Sequence, residues 1–161
     1  MILFSRVVAI VAVAVSFCTA SAAEPILTVH VKNAGQADEI THFSREELLA
    51  LGQIALTTEN DFVDGKPRFE GPLMRDLIAA VSGQNTEVAR LFAENDYTVE
   101  IPTQEFLDYD VVLALTQDGK NLSLRDMGPI WLIYPMSDHP ELADPSNNNK
   151  LIWQLVRVEL E

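Results

Sequence analysis

The chain has 161 residues, a formal net charge of −13 at pH 7, 48% hydrophobic and 22% charged residues, and a single cysteine. One domain fits that length, and the apolar content excludes a disordered or fibrous chain. With 11 basic against 24 acidic side chains, nucleic acid and anionic membrane surfaces are not expected partners.

The N-terminus reads as an export signal. Arg6 opens it, residues 7–17 form an apolar stretch too short for a bilayer core of about 30 Å, and Thr19, Ala20, Ser21, Ala22 and Ala23 supply the small side chains that a signal peptidase reads. Cleavage is expected after Ala23, with Ala22 as the alternative and an uncleaved anchor as the competing reading. The expected domains are therefore residues 1–23, a signal peptide, and residues 24–161, a single exported domain without direct membrane binding. Cleavage also removes Cys18, so the mature chain can hold no disulfide, thiolate ligand or cysteine nucleophile.

The mature chain reads in order as follows. Residues 25–31 partly alternate and predict a strand. Ser44 and Glu47 have the spacing of a capping box, Leu48, Leu49 and Leu51 give the helix its apolar face, and Gly52 stops it. Residues 53–59 are β-like, and residues 61–67 form a polar turn around Asp64-Gly65. Pro72 suits a helix start, and Leu73, Leu77, Ile78 and Val81 repeat at helical spacing until Gly83. Residues 97–101 predict a strand closed by Pro102, residues 103–107 a helical turn or two, and residues 111–116 an apolar strand. Asp118-Gly119 is a tight reversal. Residues 130–134 and 151–160 predict further strands around a polar loop containing Asn147, Asn148 and Asn149. About six strands and three or four short helices make an α+β domain.

Catalytic signatures are absent: no H-E-x-x-H, P-loop, G-x-G-x-x-G or G-x-S-x-G occurs. His30, His42 and His139 are scattered without ligand spacing, so neither a metal site nor a catalytic residue is expected. Three places invite a ligand. Asn95-Asp96-Tyr97 brings an amide, a carboxylate and a phenol to a strand entry. Gly128-Pro129-Ile130-Trp131 sets a large aromatic after a rigid turn, and Arg125 stands just upstream with a planar fork of donors. A rim of Trp131, Tyr97 and Tyr134 would stack on a flat heterocycle while Asp96 or Glu59 accepts hydrogen bonds from its amino edge. The competing reading has Trp131 and Tyr134 in the core and Asp96 as a turn residue.

Taken together, these segments resemble the molybdopterin-binding domain of the sulfite oxidase family, in a short exported form. The matching pieces are Phe43-Ser44-Arg45-Glu46-Glu47-Leu48-Leu49, Phe69-Glu70-Gly71-Pro72-Leu73-Met74-Arg75-Asp76-Leu77, Asn95-Asp96-Tyr97, Ala114 with Asp118-Gly119, Gly128-Pro129-Ile130-Trp131-Leu132-Ile133-Tyr134-Pro135, and residues 150–159. The resemblance implies a compact mixed-sheet domain with a pterin pocket. Catalytic members hold molybdenum through a cysteine thiolate, and the corresponding stretch here, Ala55-Leu56-Thr57-Thr58-Glu59-Asn60, has no sulfur. A pterin ligand without molybdenum is therefore expected, on a site of Thr57, Glu59, Asn60, Asn95, Asp96, Tyr97, Arg125, Trp131 and Tyr134. The chain is similar to small periplasmic proteins of this kind that bind pterins and regulate a membrane-bound enzyme of cyclic-di-GMP metabolism. That similarity implies a non-enzymatic ligand sensor whose partner is the periplasmic domain of an inner-membrane signalling receptor. The alternative is a molybdopterin-dependent oxidoreductase or a subunit of one.

Overall fold

Burial with a period of two defines the first strand. In the computed structural model, which describes residues 23–32, 37–82 and 86–161, β1 (Pro25–Val31) buries Leu27, Val29 and Val31 and turns the intervening residues to the other face. The export segment over residues 1–22, with Cys18, and the expected helix stop at Gly83 lie outside the described residues. β1 pairs antiparallel with β2 (Glu39–Ser44) and parallel with β11 (Leu155–Leu160). β11 is flanked on its other side by β5 (Val88–Ala93), which pairs with β6 (Thr98–Pro102), so the five-stranded sheet runs β2-β1-β11-β5-β6.

A second sheet of four strands, in the order β3-β4-β8-β9, is built from β3 (Ile54–Thr57), β4 (Arg68–Gly71), β8 (Thr116–Gln117) and β9 (Lys120–Asn121). The reversal at Asp118-Gly119 has φ values of 49° and 74°, both left-handed, as a two-residue hairpin turn requires. Asp118 Oδ1 accepts from Arg68 N at 2.9 Å and fixes that turn on β4.

Between the two sheets lies an antiparallel ribbon of β7 (Val112–Ala114) and β10 (Trp131–Ile133). Its side chains divide alternately between two cores. Leu113, Leu115, Ile130, Leu132 and Tyr134 enter the larger core with the five-stranded sheet, Leu48 and Leu77. Val112, Ala114, Trp131 and Ile133 enter the smaller one with Leu56, Phe69, Leu73 and Leu122. Both faces of the ribbon are dry, which is why its sequence reads as an unbroken apolar run.

The helices are short: α1 (Arg45–Ala50), α2 (Met74–Ser82) and α3 (Glu105–Asp108). The capping box at α1 forms as the spacing predicts, with Ser44 Oγ accepting from Glu47 N at 3.2 Å and Glu47 Oε2 accepting from Ser44 N at 2.7 Å. At the far edge of the β1–β11 pair, Lys32 Nζ meets Glu161 at 2.8 Å and Glu159 at 2.9 Å.

These contacts carry a pH signature. The Ser44 N–H and then its hydroxyl hold the Glu47 carboxyl below the usual range, and Lys32 does the same for Glu161. A carboxylate held low in the folded state stabilises above its unfolded pKa, and that contribution is lost as pH falls through the folded value. Thermal melts are therefore expected to hold their midpoint down to about pH 5 and to decline steadily below about pH 4. A midpoint that stays flat down to about pH 3 would contradict this.

Candidate functional site: two adjoining cavities

Three segments distant in sequence meet beyond one end of the five-stranded sheet. The first is the β5–β6 turn. Asp96 N donates to Ala93 O at 3.2 Å, Ala93 N donates to Tyr97 O at 2.9 Å, and Asp96 takes φ 65°, the left-handed residue that closes a three-residue hairpin. Asn95 Oδ1 accepts from Tyr97 N at 3.1 Å, so this amide shapes the turn. The second is the loop between β3 and β4, where Asn60 Oδ1 accepts from Phe62 N at 2.9 Å. The third is the turn of 3-10 helix Pro145–Lys150, capped by Asp144 Oδ1 on Ser146 N at 2.8 Å. Lys150 Nζ ties its end to both oxygens of Glu105 at 2.9 Å.

Where the three meet, a cavity of about 240 Å³ opens, bordered by Phe62, Ala93, Asn95, Tyr97, Asn148, Asn149, Leu151, Ile152 and Trp153. Trp153 stands edge to face with Phe62, with centroids 5.0 Å apart at 73°. Tyr97 is 43% exposed and its hydroxyl donates to Asn149 O at 2.9 Å. Three aromatic rings and three amides make a wall with no formal charge. Such a lining accepts a flat, neutral ring whose edge carries hydrogen-bonding groups.

A second cavity of about 330 Å³ adjoins it, bordered by Glu59, Asn60, Asp61, Val63, Gly65, Met136, Ala143 and Asn148. Asn148 belongs to both walls, and its Nδ2 donates to Asp61 Oδ2. Asn60 Nδ2 is shielded from solvent and has no acceptor among the described residues.

The nine expected site residues do not form one cluster. Asn95 and Tyr97 border the first cavity, and Glu59 and Asn60 the second. Thr57 ends β3, exposed and opposite Arg68. Asp96 closes its turn outside both linings, as the turn reading has it. Arg125 is exposed on the 3-10 turn Leu124–Asp126, which Gln154 Nε2 secures through Leu124 O at 2.8 Å.

Trp131 and Tyr134 correct the expected aromatic rim. Each is only 1% exposed. Because the ribbon is buried on both faces, Trp131 must point into the smaller core, where it meets Phe69 edge to face at 5.5 Å. Its Nε1 donates to Leu151 O at 3.0 Å. Tyr134 enters the larger core, and its hydroxyl donates to Glu105 Oε2 at 3.2 Å. Burial, and then the Glu105 charge, hold this phenol well above its usual range, so it stays protonated. The tryptophan at the cavity is instead Trp153, which the sequence reading passed over. One signal was available: Trp153 stands just after the polar Asn-rich turn, where a chain returns from the surface.

The β3–β4 loop carries no sulfur donor. Thr58 is fully buried, and its hydroxyl is committed, accepting from Ser137 N at 3.0 Å and donating to Glu59 O at 3.3 Å. Ser137 Oγ in turn accepts from Glu59 N at 3.1 Å. A hard hydroxyl engaged in this clamp is no soft thiolate. Among the described residues, no group of three His, Cys, Asp or Glu side chains is placed to hold a metal.

No family model matches the chain, and no curated protein matches it. Among solved structures it is similar to the sulfane dehydrogenase SoxCD from Paracoccus pantotrophus, with a TM-score of 0.57 and 14% identity, over 83% of this chain and 38% of that one. The chain thus spans well under half of that chain's length. At such identity the likeness is one of architecture: the mixed helices and sheets of this protein have a sulfite oxidase-like fold.

Proposed function

We propose that this protein is a periplasmic, non-enzymatic pterin-binding protein that acts as the ligand-sensing partner of an inner-membrane cyclic-di-GMP signalling receptor. One observation carries the ligand assignment: a sulfite oxidase-like fold with an uncharged cavity walled by Phe62, Tyr97 and Trp153 and edged by Asn95, Asn148 and Asn149. Its volume of about 240 Å³ lies just below the roughly 300–1,000 Å³ of pockets for drug-sized ligands, a scale that suits a single bicyclic ring. The amides supply both donors and acceptors to a pterin edge, and the rings supply stacking faces. Signalling follows from linkage: a pterin that binds one conformation more tightly shifts the protein toward it, and the receptor reads that shift.

The likeness to SoxCD is compatible with a second reading, a subunit of a molybdopterin oxidoreductase. The committed Thr58 hydroxyl speaks against metal chemistry at this loop.

Calorimetric titration of the purified protein with oxidised and reduced pterins tests the proposal, with tryptophan fluorescence as a second readout. The wild type is expected to bind. Trp153→Ala is expected to weaken binding about five- to 150-fold, since stacking on an aromatic is worth roughly 1–3 kcal/mol, with circular dichroism unchanged. Absence of binding at any accessible concentration removes the proposal. Wild-type affinity in Trp153→Ala moves the site elsewhere.

A further inference from the structure

Among the described residues, sulfur occurs at Met74, Met127 and Met136. Met74 is sealed in the larger core at 0% exposure, and Met136 is 7% exposed although it borders the second cavity. Met127 is only half-buried. Oxidation of a thioether follows its access to solvent, so the three do not compete equally.

The backbone around Met127 leaves it little freedom. It caps the 3-10 turn Leu124–Asp126 with φ 66° and ψ 9°, a left-handed conformation that is costly for a residue with a side chain. Ser123 O holds the chain on both sides of it, accepting from Asp126 N at 2.9 Å and from Gly128 N at 2.7 Å. Gly128 is itself pressed so close to Leu122 that a Cβ there would lie 2.5 Å from the Leu122 carbonyl. The Met127 side chain packs on the smaller core, as those of Phe62, Val63 and Trp153 do, and that apolar contact offsets the cost of its backbone.

The same turn grips Gln154. Met127 O accepts from Gln154 N at 3.0 Å, and Leu124 O accepts from Gln154 Nε2 at 2.8 Å. The Gln154 carbonyl in turn accepts from Glu94 N at 2.9 Å. Trp153, covalently joined to Gln154, and Asn95, joined to Glu94, both border the first cavity. A change at Met127 therefore reaches two cavity residues through two hydrogen bonds and their chain neighbours.

We infer that Met127 is a site of reversible oxidation by peroxides, and that its oxidation loosens the first cavity. The sulfur lone pair attacks one peroxide oxygen, an S–O bond forms and the O–O bond breaks. The leaving hydroxide takes the proton of the transferred oxygen and departs as water. Sulfur gives up two electrons, the peroxide gains them, and a methionine sulfoxide results. The sulfoxide is polar and withdraws from the smaller core. The left-handed turn then loses the contact that offsets its cost, and its grip on Gln154 slackens. A methionine sulfoxide reductase reverses the step, with two thiols supplying the electrons to become a disulfide while the oxygen leaves as water. The effect on ligand binding rests on the pterin reading of the first cavity, whereas the oxidation itself does not.

Hydrogen peroxide treatment of the purified protein, followed by peptide mass spectrometry, is the first measurement. Met127 is expected to gain one oxygen at least about tenfold faster than Met74 or Met136, the order that their exposure dictates. Calorimetric titration with unsubstituted pterin and thermal melts then compare treated with untreated protein. Affinity is expected to fall about threefold or more and the melting midpoint to drop, and methionine sulfoxide reductase is expected to restore both. Met127→Leu, similar in volume and free of sulfur, is expected to match untreated wild type and to ignore peroxide. Should Met127→Leu fold poorly, Met127→Gln puts a polar group in the same place and is expected to reproduce the oxidised protein without peroxide. Equal oxidation rates at the three methionines overturn the inference, as does a midpoint unchanged after full oxidation of Met127. A peroxide effect of the same size in Met127→Leu, or a Met127→Gln indistinguishable from untreated wild type, does so too. A midpoint that falls while affinity stays intact overturns the link to the cavity. If untreated protein binds no pterin, the pterin reading falls, while the oxidation rates and midpoints still decide the role of Met127.

Discussion

Trp131→Ala is expected to destabilise the fold by about 3–5 kcal/mol, the range for truncating a buried aromatic. The indole is 1% exposed and packs edge to face on Phe69 within the smaller core, beside Val112, Ala114, Ile133 and Leu122. Truncation opens a void in a cluster of few residues, and it also strips Leu151 O of the Nε1–H donor at 3.0 Å. That carbonyl belongs to a residue on the wall of the ring cavity. Against a total stability of about 5–15 kcal/mol for a domain of this kind, the loss is a large fraction. Urea unfolding followed by circular dichroism measures it. A loss below about 1 kcal/mol, joined to a selective defect in pterin binding, would return Trp131 to the ligand rim.

The second large effect is expected at Gly71, the last residue of β4. A Cβ built there would lie 1.9 Å from Leu113 O and 2.9 Å from Leu113 C. Those atoms are backbone, and they are pinned: Leu113 N donates to Pro72 O, and Leu115 N donates to Glu70 O, each at 2.9 Å. No flexible side chain can give way, so the four-stranded sheet and the ribbon would have to part. Gly71→Ala is expected to cost about 3 kcal/mol or more, at or beyond the upper end of ordinary overpacking. The denaturant midpoint is the measurement, with the slope as a check that unfolding stays two-state. A variant within about 1 kcal/mol of wild type would mean that the close approach of β4 and β7 is not needed for the fold.

Local features were the most legible in sequence. The Ser44–Glu47 box, the Asp118-Gly119 reversal and the alternation of β1 each depend on residues a few positions apart, and each appears where its chemistry requires. About six strands were expected, whereas eleven are present among the described residues. β2, β4 and β5 were missed because they are mixed in composition, each carrying charged or polar residues among the apolar ones, and pairing across the sheet stabilises them more than any propensity of their own. The site was harder to read for a related reason. Its walls come from residues 59–65, 93–97 and 148–153 together with Met136 and Ala143, and no periodicity links such segments. The burial of Trp131 and Tyr134, by contrast, was open to inference: five consecutive apolar residues at 130–134 match a strand covered on both faces, which leaves no outward position for a stacking ring.

The position of β11 has a further consequence. It is the central member of the five-stranded sheet, gripped on one side by β1 and on the other by β5, so it splices two otherwise separate hairpins. Trp153 lies only two residues ahead of it, and Gln154 between them is fixed at both ends of its peptide, its N–H on Met127 O and its carbonyl on Glu94 N. A guest held by Trp153 is therefore coupled through covalent chain to the splice itself and not to a surface loop. Occupancy should then be felt as added resistance of the whole molecule to unfolding, by mass action on the native state.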